Sequence, residues 1–340
     1  MTTLARETFP RWRALTRSAI PLALAWLVQL GAPPPAAAVD VRFAYMVTTT
    51  HPFHAAAQEV TRLAKERSAG RLDIRLFPAS QLGDEKAQTE QVMLGSLQLF
   101  LGTYGMLGNW QPELSVFEAP YAFKDLKHYR KVVASELFKT ASDKLVARAG
   151  VRIVDSWYLG NRHVVSRNFP VNSPEDLKGR KLRVPEAPIY VEMARAMGAT
   201  PTPFAYSEVY LGLSQGVLDA AENPLSGLWT QKWHEVCKYL ALTSHMLQNL
   251  TVIANEKFLQ GLSTEDRNVL LSTIREVGEK VSQKVLDEEQ GMVEKVKARG
   301  VTVTQPDVKA FQRRAVEALP AKFADKWGVG VYEKIQKMAE

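Results

Sequence analysis

The pattern of hydrophobic and polar positions predicts alternating strands and helices in the first part of the chain. Residues 41–47, 72–76 and 97–101 form short apolar or alternating runs, which are typical of strands. Between these runs, residues 53–64 carry an apolar stripe at helical spacing, and residues 84–93 predict a second helix. The order strand, helix, strand, helix, strand predicts a parallel sheet with crossover helices.

The pattern in the second part of the chain predicts another unit and a long helix. Residues 151–157 and 162–165 are predicted strands, and the second of them begins the second unit. Residues 239–243 and 252–254 are two more strand candidates, the latter placed to cross back to the first unit. Helical periodicity then continues over residues 264–299. Since a helix of that length exceeds the usual length in a domain, we expect it to bridge two lobes.

The first 38 residues have the composition of a secretory signal peptide. A basic segment contains Arg6, Arg11, Arg13 and Arg17. An apolar run at residues 19–30 follows it, and the small residues Ala36 to Ala38 then offer a cleavage position. The apolar run is too short to span a bilayer comfortably, and no second run follows. We therefore expect export with cleavage after Ala38, and an uncleaved anchor is the alternative.

Removal of this segment leaves a mature chain that is only mildly basic. Four arginines and one glutamate are lost, so the formal net charge falls from +7 to +4. This charge and the expected export argue against nucleic acid as a partner. Cys237 is the only cysteine, so no intramolecular disulfide is possible. The remaining chain, of about 300 residues, is long enough for two domains with sizeable cores.

One arginine lies where an α/β protein opens a ligand crevice. Leu182 and Val184 predict a short strand over residues 181–184, with Arg183 on the opposite side of the strand from both. Pro185 lacks the amide hydrogen of a sheet bond, so the strand is expected to end there. At the end of such a strand, a guanidinium offers a planar fork of donors that matches a carboxylate. The alternative is a solvated arginine among neighbouring basic residues.

The stretch around this arginine resembles the signature of the periplasmic solute-binding proteins of TRAP transporters. Three segments carry the resemblance in order, and two shorter segments precede them in the chain. They are Asp-Leu-Lys-Gly-Arg-Lys-Leu-Arg-Val-Pro at 176–185, Pro-Phe-Ala-Tyr-Ser-Glu-Val-Tyr at 203–210, Ala-Glu-Asn-Pro at 221–224, Pro-Ala-Ser-Gln-Leu-Gly at 78–83 and Gly-Ser-Leu at 95–97. The resemblance spans nearly all of the mature chain.

The resemblance implies an α/β, two-lobed periplasmic-binding-protein-like fold with an interdomain cleft and a long bridging helix. On that basis we predict lobe I at residues 39–159 and 249–288, and lobe II at residues 160–248 and 289–340. It also implies a monomer in the periplasm that captures a small carboxylate. Members of the family deliver this ligand to two integral-membrane permease subunits, and an ion gradient drives transport. Neither catalysis nor a cofactor is expected.

The resemblance also assigns ligand-binding roles to residues of this chain. Arg183 is expected to hold the ligand carboxylate, with Arg162 as a second arginine and Asn223 completing the coordination through its amide. Tyr206 matches an aromatic position that packs over the ligand, and Thr103 lies on the loop after the third strand. The alternatives are a surface charge for Arg162 and a core aromatic for Tyr206.

Two positions depart from the sialic-acid-binding branch of this family. That branch carries a glutamate at the position of Thr103 and an arginine at the position of Met106. Without those groups a polyhydroxylated amino-sugar acid has fewer partners, so we expect a smaller acid with an apolar or aromatic portion. Trp157, Tyr158 and Trp229 are candidates to line that portion, although they are equally suited to a core. A C4-dicarboxylate, a 2-oxo acid and an aromatic acid all stay open.

A nucleophile-elbow pattern gives an alternative function, an exported serine hydrolase. The segment Gly-Leu-Ser-Gln-Gly matches the pattern, with Ser214 as the nucleophile. An elbow needs a strand before the serine and a helix after it, whereas residues 208–211 predict a helix and residues 217–218 a strand. His234 and His245 follow, but the sequence does not fix their distance from Ser214.

The sequence gives no support to a metal or nucleotide site. His51 and His54 are three residues apart, but no carboxylate accompanies them at ligand spacing. Glycine-rich nucleotide motifs are absent. A ligand sensor for a receptor kinase is a further alternative, because it uses the same cleft as a transport receptor.

Overall fold

Nine strands lie within residues 38–339, the part of the chain that the computed structural model describes, and they form one sheet. In chain order the strands are β1 (Val39–Tyr45), β2 (Leu72–Phe77), β3 (Leu99–Gly102), β4 (Val151–Ser166), β5 (Lys181–Val184), β6 (Thr200–Pro203), β7 (Ala220–Pro224), β8 (Tyr239–Asn255) and β9 (Thr302–Thr304). Their order across the sheet is β2-β1-β3-β8-β4-β7-β5-β6, and β9 pairs with β8. The predicted signal peptide, up to residue 37, falls outside the described residues.

Thirteen α-helices accompany these strands in the same part of the chain. They are α1 (Pro52–Arg67), α2 (Glu85–Leu94), α3 (Tyr104–Leu107), α4 (Leu126–Val133), α5 (Glu136–Ala149), α6 (Pro188–Ala196), α7 (Val209–Gln215), α8 (Leu225–Thr230), α9 (Glu256–Gly261), α10 (Thr264–Lys297), α11 (Val308–Lys322), α12 (Ala324–Trp327) and α13 (Val331–Lys337). Short 3₁₀ segments occur at Pro112–Glu118, Pro174–Leu177, Tyr206–Glu208 and Trp233–Glu235. Between residues 38 and 339, no helix is both long enough and apolar enough to cross a membrane.

Two parallel units at the ends of the sheet are joined by two long antiparallel strands. β1 pairs in parallel with β2 and β3, which confirms the predicted parallel sheet of the first unit. β5 pairs in parallel with β6 and β7. β4 and β8 pair antiparallel from Val151 opposite Asn255 to Ser166 opposite Tyr239. We call the side of β1, β2 and β3 the first half-sheet, and the side of β5, β6 and β7 the second half-sheet.

The two long strands correct the predicted strand bounds. Residues 151–157 and 162–165 belong to the single strand β4, and residues 239–243 and 252–254 both belong to β8. Register shifts interrupt the β4–β8 pairing at three places, so the alternation of apolar positions is broken and the continuity was missed. Both strands therefore belong to both half-sheets.

Gly160 lies at the middle register shift, where β4 passes from one half-sheet to the other. Its φ of +123° is a conformation that a residue with a side chain rarely adopts. A Cβ atom there would also lie 3.2 Å from both Glu289 Oε1 and Pro224 Cβ. The positive φ and the close approach of Glu289 from α10 both require glycine at this position.

The long bridging helix predicted from periodicity is α10, which has 34 residues. Ser263 caps its start, since its hydroxyl accepts from the Asp266 amide at 3.0 Å and donates to the Asp266 carboxylate at 2.9 Å. The helix packs against α1, β4 and α8, and so contacts elements of both half-sheets. The fold is the expected two-lobed α/β architecture with a bridging helix.

The bounds of lobe I and lobe II stay a prediction. The helices α12 and α13 follow α11, yet they contact the segment around Pro112–Glu118. Trp327 Nε1 donates to Ser115 Oγ at 2.8 Å, and the Tyr332 hydroxyl donates to the carbonyl of Pro120 at 2.6 Å. The C-terminal helices thus reach residues that the prediction assigns to lobe I.

Candidate functional site: a buried cavity at the crossing strands

Arg183 projects from the end of β5 into the interior of the protein. Its side chain is 3% exposed, so the alternative of a solvated arginine is wrong. Nε and Nη2 donate to the carbonyl oxygen of Phe204 at 2.9 and 2.7 Å. The ring of Tyr206 lies beside the guanidinium, with its centre 5.7 Å from the central carbon.

The charge of Arg183 has no counter-ion among residues 38–339. Its hydrogen bonds go to a neutral carbonyl, and none of these residues places a carboxylate within ion-pair distance. Burial lowers the pKa of Arg183 to about 10, partly offset by Glu222 and reinforced by the neighbouring Arg162. The cavity therefore contains a desolvated cation that an anion would stabilise.

Arg162 is buried as well, but its charge is compensated within the protein. Its guanidinium forms a bidentate ion pair with Glu222, in which Nη2 donates to Oε1 at 2.6 Å. Nη2 also donates to the carbonyl of Glu222, and Nη1 donates to Gln248 Oε1 at 3.0 Å. The alternative of a surface charge is wrong, since only 4% of Arg162 is exposed.

His245 completes this ion pair from a bulged part of β8. Burial lowers the pKa of His245, so we assign a neutral ring whose Nε2–H donates to Glu222 Oε2 at 3.2 Å. Nδ1 then accepts from the Thr243 hydroxyl at 2.8 Å. Burial favours the neutral form of Glu222, but Arg162 and His245 outweigh it and lower its pKa to about 2. Glu222 is thus a structural hydrogen-bond partner of Arg162 and His245.

All five residues predicted to bind the ligand line one cavity, which we call the inner cavity. They are Thr103, Arg162, Arg183, Tyr206 and Asn223. The Asn223 amide donates to the Tyr206 hydroxyl at 3.2 Å, and the Thr103 hydroxyl accepts from the Met106 amide at 3.1 Å. The remaining lining residues are Met46, Val47, Glu85, Leu159, Pro185, Gln248 and Leu250. The cavity is polar on one side and apolar on the other.

A second, outer pocket adjoins the inner cavity and shares Glu85 and Arg183 with it. Its other charged lining residues are Asp84, Lys86 and Glu186. Met106, the position that departs from the sialic-acid-binding branch, also lines this pocket.

Sequence reasoning missed Glu85 and Gln248 as lining residues. Glu85 begins α2, two residues after the segment at 78–83 that carried part of the resemblance, and that nearness was the available signal. Gln248 lies in the middle of β8 and is brought to the cavity by the pairing with β4, for which the sequence offers no local signal. Burial raises the pKa of Glu85 to about 7, with a hydrogen bond from Thr103 acting in the opposite direction.

Behind Gln248, a buried network connects the Pro112–Glu118 segment with α6. The Tyr190 hydroxyl donates to Glu118 Oε2 at 2.7 Å, and the Gln248 amide donates to Glu118 Oε1 at 2.7 Å. The Gly105 amide donates to the same carboxyl group at 2.6 Å. Burial raises the pKa of Glu118 despite these donors. The network holds the wall of the cavity between the two half-sheets.

The aromatic residues proposed to line an apolar portion of the ligand lie elsewhere. Trp157 is fully buried and packs edge to face against Phe43 and Phe53. Tyr158 donates its hydroxyl to Glu289 of α10 at 2.8 Å. Trp229 lines a different pocket, between α8 and α10, and stacks on His234. The apolar wall of the inner cavity is instead aliphatic and thioether in character.

The serine of the elbow pattern lies on the surface, in a geometry unlike an elbow. Ser214 is within α7, and its hydroxyl donates to the carbonyl of Leu211 at 2.9 Å. The strand β7 begins only at Ala220, later than the sequence pattern predicted. His245 is committed to Glu222, so it is not a partner of Ser214. Within residues 38–339, no group of three or more histidine, cysteine or acidic residues is placed to hold a metal ion.

Comparison with known proteins decides the family. The sequence model of the bacterial extracellular solute-binding proteins, family 7, matches residues 43–326. The chain belongs to this family, the periplasmic solute-binding proteins of TRAP transporters. TRAP solute-binding proteins bind small organic acids outside the cytoplasm and work with membrane permease components. They are binding receptors rather than enzymes.

Characterised TRAP solute-binding proteins resemble the chain over most of its length. The sialic acid-binding periplasmic protein SiaP of Vibrio cholerae serotype O1 is 36% identical over 274 residues, which are 81% of this chain and 85% of that protein. A crystal structure from Actinobacillus succinogenes 130z with bound L-galactonate has a TM-score of 0.85 at 32% identity, covering 88% of this chain and 99% of the other. A structure from Ochrobacterium anthropi with bound L-fuconate has a TM-score of 0.85 at 31% identity, covering 89% and 100%.

Proposed function

We propose that this protein captures a small organic acid in the inner cavity, with the ligand carboxylate on Arg183, and delivers it to the permease subunits of a TRAP transporter. The observation that carries the proposal is the buried, uncompensated charge of Arg183. An isolated buried cation is costly, and an anionic ligand removes that cost through paired hydrogen bonds. The organic acids bound by the related proteins support this assignment.

The other four lining residues take supporting roles in the proposed site. Arg162 stays paired with Glu222 and offers the ligand its remaining donor capacity. The Tyr206 ring lies beside the guanidinium and its hydroxyl accepts from the Asn223 amide, so both residues are placed to orient the carboxylate. The Thr103 hydroxyl accepts from the Met106 amide, and its side chain also hydrogen-bonds the Glu85 carboxyl group at the cavity wall.

Lobe closure over the ligand is part of the proposal. The inner cavity lies against β4 and β8, which pass from one half-sheet to the other, and Leu159 and Gln248 of these strands line it. Closure of lobe I (residues 39–159 and 249–288) on lobe II (residues 160–248 and 289–340) excludes water and strengthens the Arg183–carboxylate pair. The closed form then presents one composite surface to the permease.

The proposed receptor is a periplasmic monomer without a cofactor or a nucleic-acid partner. Export depends on the signal peptide, with cleavage near Ala38, and leaves a formal net charge of +4. Such a mild positive balance gives little attraction for nucleic acid. A serine hydrolase based on Ser214 has no geometric support, and a serine-reactive fluorophosphonate that labelled Ser214 would reopen it.

A thermal-shift screen against a panel of organic acids tests the proposal. A bound acid raises the melting temperature by mass action, and isothermal titration calorimetry then gives its Kd. The Arg183→Ala variant should lose the shift for every acid that stabilises the wild type. Equal stabilisation of wild type and variant by the same acid would refute the role of Arg183.

A further inference from the structure

Glu85 faces the same space as Arg183 in both the inner cavity and the outer pocket. It is the first residue of α2 and is 8% exposed. The Thr103 amide donates to its Oε1 at 2.7 Å and fixes the carboxyl group against the start of α3. Any ligand held by Arg183 in this space therefore meets a fixed acidic group.

The carboxyl group of Glu85 has acceptor capacity left over. A carboxylate offers about four lone-pair positions on two oxygens. Apart from the amide and the side chain of Thr103, the described residues place no hydrogen-bond donor on it. The unused positions belong to a side chain that lines the cavity, so a donor on the ligand is needed to satisfy them.

The charges around the cavity leave room for one ligand carboxylate. Arg162 is committed to Glu222, so Arg183 is the uncompensated cation of the inner cavity among the described residues. Lys86 lines only the outer pocket, where Asp84 and Glu186 also lie. A second carboxylate would therefore meet Glu85 in the inner cavity or a net acidic lining in the outer pocket.

We propose that Glu85 determines specificity: the ligand is a hydroxylated monocarboxylate, with its carboxylate on Arg183 and a hydroxyl group on Glu85, and dicarboxylates are excluded. This inference rests on the proposed function and names its substrate class. The ionised form of Glu85 rejects a dianion because two carboxylates in a desolvated cavity repel each other. It accepts a hydroxyl because that group supplies the missing donor without a second negative charge.

A hydroxyl fits the site better than an ammonium group as the donor. An ammonium would bring a second positive charge into a cavity that already holds the uncompensated Arg183. Burial keeps the pKa of Glu85 near 7, so its charge is not fully developed at neutral pH. The aliphatic wall formed by Val47, Leu159 and Leu250 suits the carbon–hydrogen face of a short polyol chain.

The test compares matched pairs of acids that differ only in the terminal group. Galactonate and galactarate, and erythronate and meso-tartrate, each present a terminal hydroxymethyl group or a second carboxylate on the same carbon chain. Titration calorimetry on the wild type at pH 9, where a Glu85 with a pKa near 7 is ionised, should give a Kd for at least one monocarboxylate that is lower than that of its diacid by about 100-fold. Glu85→Gln should reduce this ratio to about 10-fold or less, mainly through tighter binding of the diacid.

Two controls keep the outcome interpretable. Glu90→Gln removes an exposed charge from the same helix and should leave the ratio unchanged. Glutamine at position 85 retains an oxygen for the Thr103 amide, so the variant is expected to fold, which circular dichroism and a melting curve check.

The possible results separate this inference from the proposed function. Tighter binding of a diacid by the wild type, or an unchanged ratio in Glu85→Gln, would overturn the specificity role and leave acid capture at Arg183 standing. Binding of none of the four acids, with Arg183-dependent binding of another dicarboxylate or of an acid without a hydroxyl group, would also overturn only the specificity role. Acid binding that persists in Arg183→Ala would instead refute the proposed function.

Discussion

Arg183 and Phe204 are joined by two hydrogen bonds, both of which end on the Phe204 carbonyl oxygen, at 2.9 Å from Nε and 2.7 Å from Nη2. The carbonyl orients the guanidinium but carries no charge, so the cation has no ion-pair partner among residues 38–339. Nη1 makes no hydrogen bond with the described residues and is free to bind a ligand oxygen. The two hydrogen bonds thus fix the orientation of the guanidinium and leave Nη1 for a ligand.

Replacing Arg183 should weaken ligand binding without lowering the stability of the fold. We expect Arg183→Ala to weaken acid binding by about 100-fold or more, because a buried charge partner is lost. The melting temperature without ligand should stay the same or rise, since an uncompensated buried charge is removed. Arg183→Lys keeps the charge without the planar fork and should bind with intermediate affinity. Calorimetry and melting curves on the three proteins measure both effects, and a large loss of stability in Arg183→Ala would contradict this account.

Breaking the Arg162–Glu222 pair should lower stability, in contrast to the removal of Arg183. Glu222→Gln leaves the buried Arg162 uncompensated and should lower the unfolding free energy by about 3–5 kcal/mol. The pKa of Glu222 is lowered to about 2 in the fold, so its contribution is present above the unfolded value near 4.5. That contribution should be lost as the pH falls from about 4.5 toward 2. Urea unfolding at several pH values measures this slope.

Glu59→Gln is the control for this prediction. Glu59 pairs with Arg62 on the exposed face of α1. Screening by solvent makes such a pair contribute little, so the unfolding free energy should barely change. Equal losses in Glu59→Gln and Glu222→Gln would show that burial of the pair does not matter.

Glu85 should make the stability depend on pH in the opposite direction to Glu222. Its pKa is raised to about 7 in the fold, so the native state binds its proton more tightly than the unfolded chain does. Burial is the main cause of the raised pKa, with Glu118 raising it further and Arg183 lowering it. Stability should therefore fall as the pH rises from about 4.5 to about 7. Glu85→Gln should remove this loss and, at pH 8 without ligand, be more stable than wild type by roughly 3 kcal/mol. Urea unfolding at pH 5 and pH 8 measures it, and a variant less stable at pH 8 would argue against the raised pKa.

Two glycines of α10 should respond differently to alanine. A Cβ atom on Gly278 would overlap Asp155 and the indole of Trp157, which donates to Asp155 at 3.0 Å. Gly278→Ala should therefore destabilise the protein by about 1–3 kcal/mol through overpacking. Gly291, in the same helix, has open space around its Cα. Gly291→Ala should stabilise by about 0.5–1 kcal/mol, and equal effects at both sites would show that α10 does not pack closely on β4.

The sequence predicted those parts of the protein that depend on local patterns of residues. The period of apolar residues located α1, the first parallel strands and the long helix α10. Arg183 was found in the same way, because Pro185 ends its strand. Each of these features depends on residues close together in the chain, so one sequence was sufficient.

The continuity of β4 and β8 could not be predicted, because it depends on pairing with register shifts. Bulges such as that at Gly160 break the alternation, and their sites are fixed by close packing against α10. The sequence also did not predict that Arg162 forms an ion pair whereas Arg183 does not. Arg162 meets its counter-ion 60 residues away in β7, whereas Arg183 meets a carbonyl.

By itself, the sequence determined the class of elements, the long helix and the position of Arg183 near the end of a strand, since side-chain periodicity and proline geometry act over a few residues. Only the tertiary structure decided which charges are matched. Arg162 is neutralised by Glu222, Arg183 is left for a ligand, and Glu85 is brought beside it. The reason is physical: in a buried space the energy of a charge depends on which groups surround it, and chain folding alone sets those neighbours.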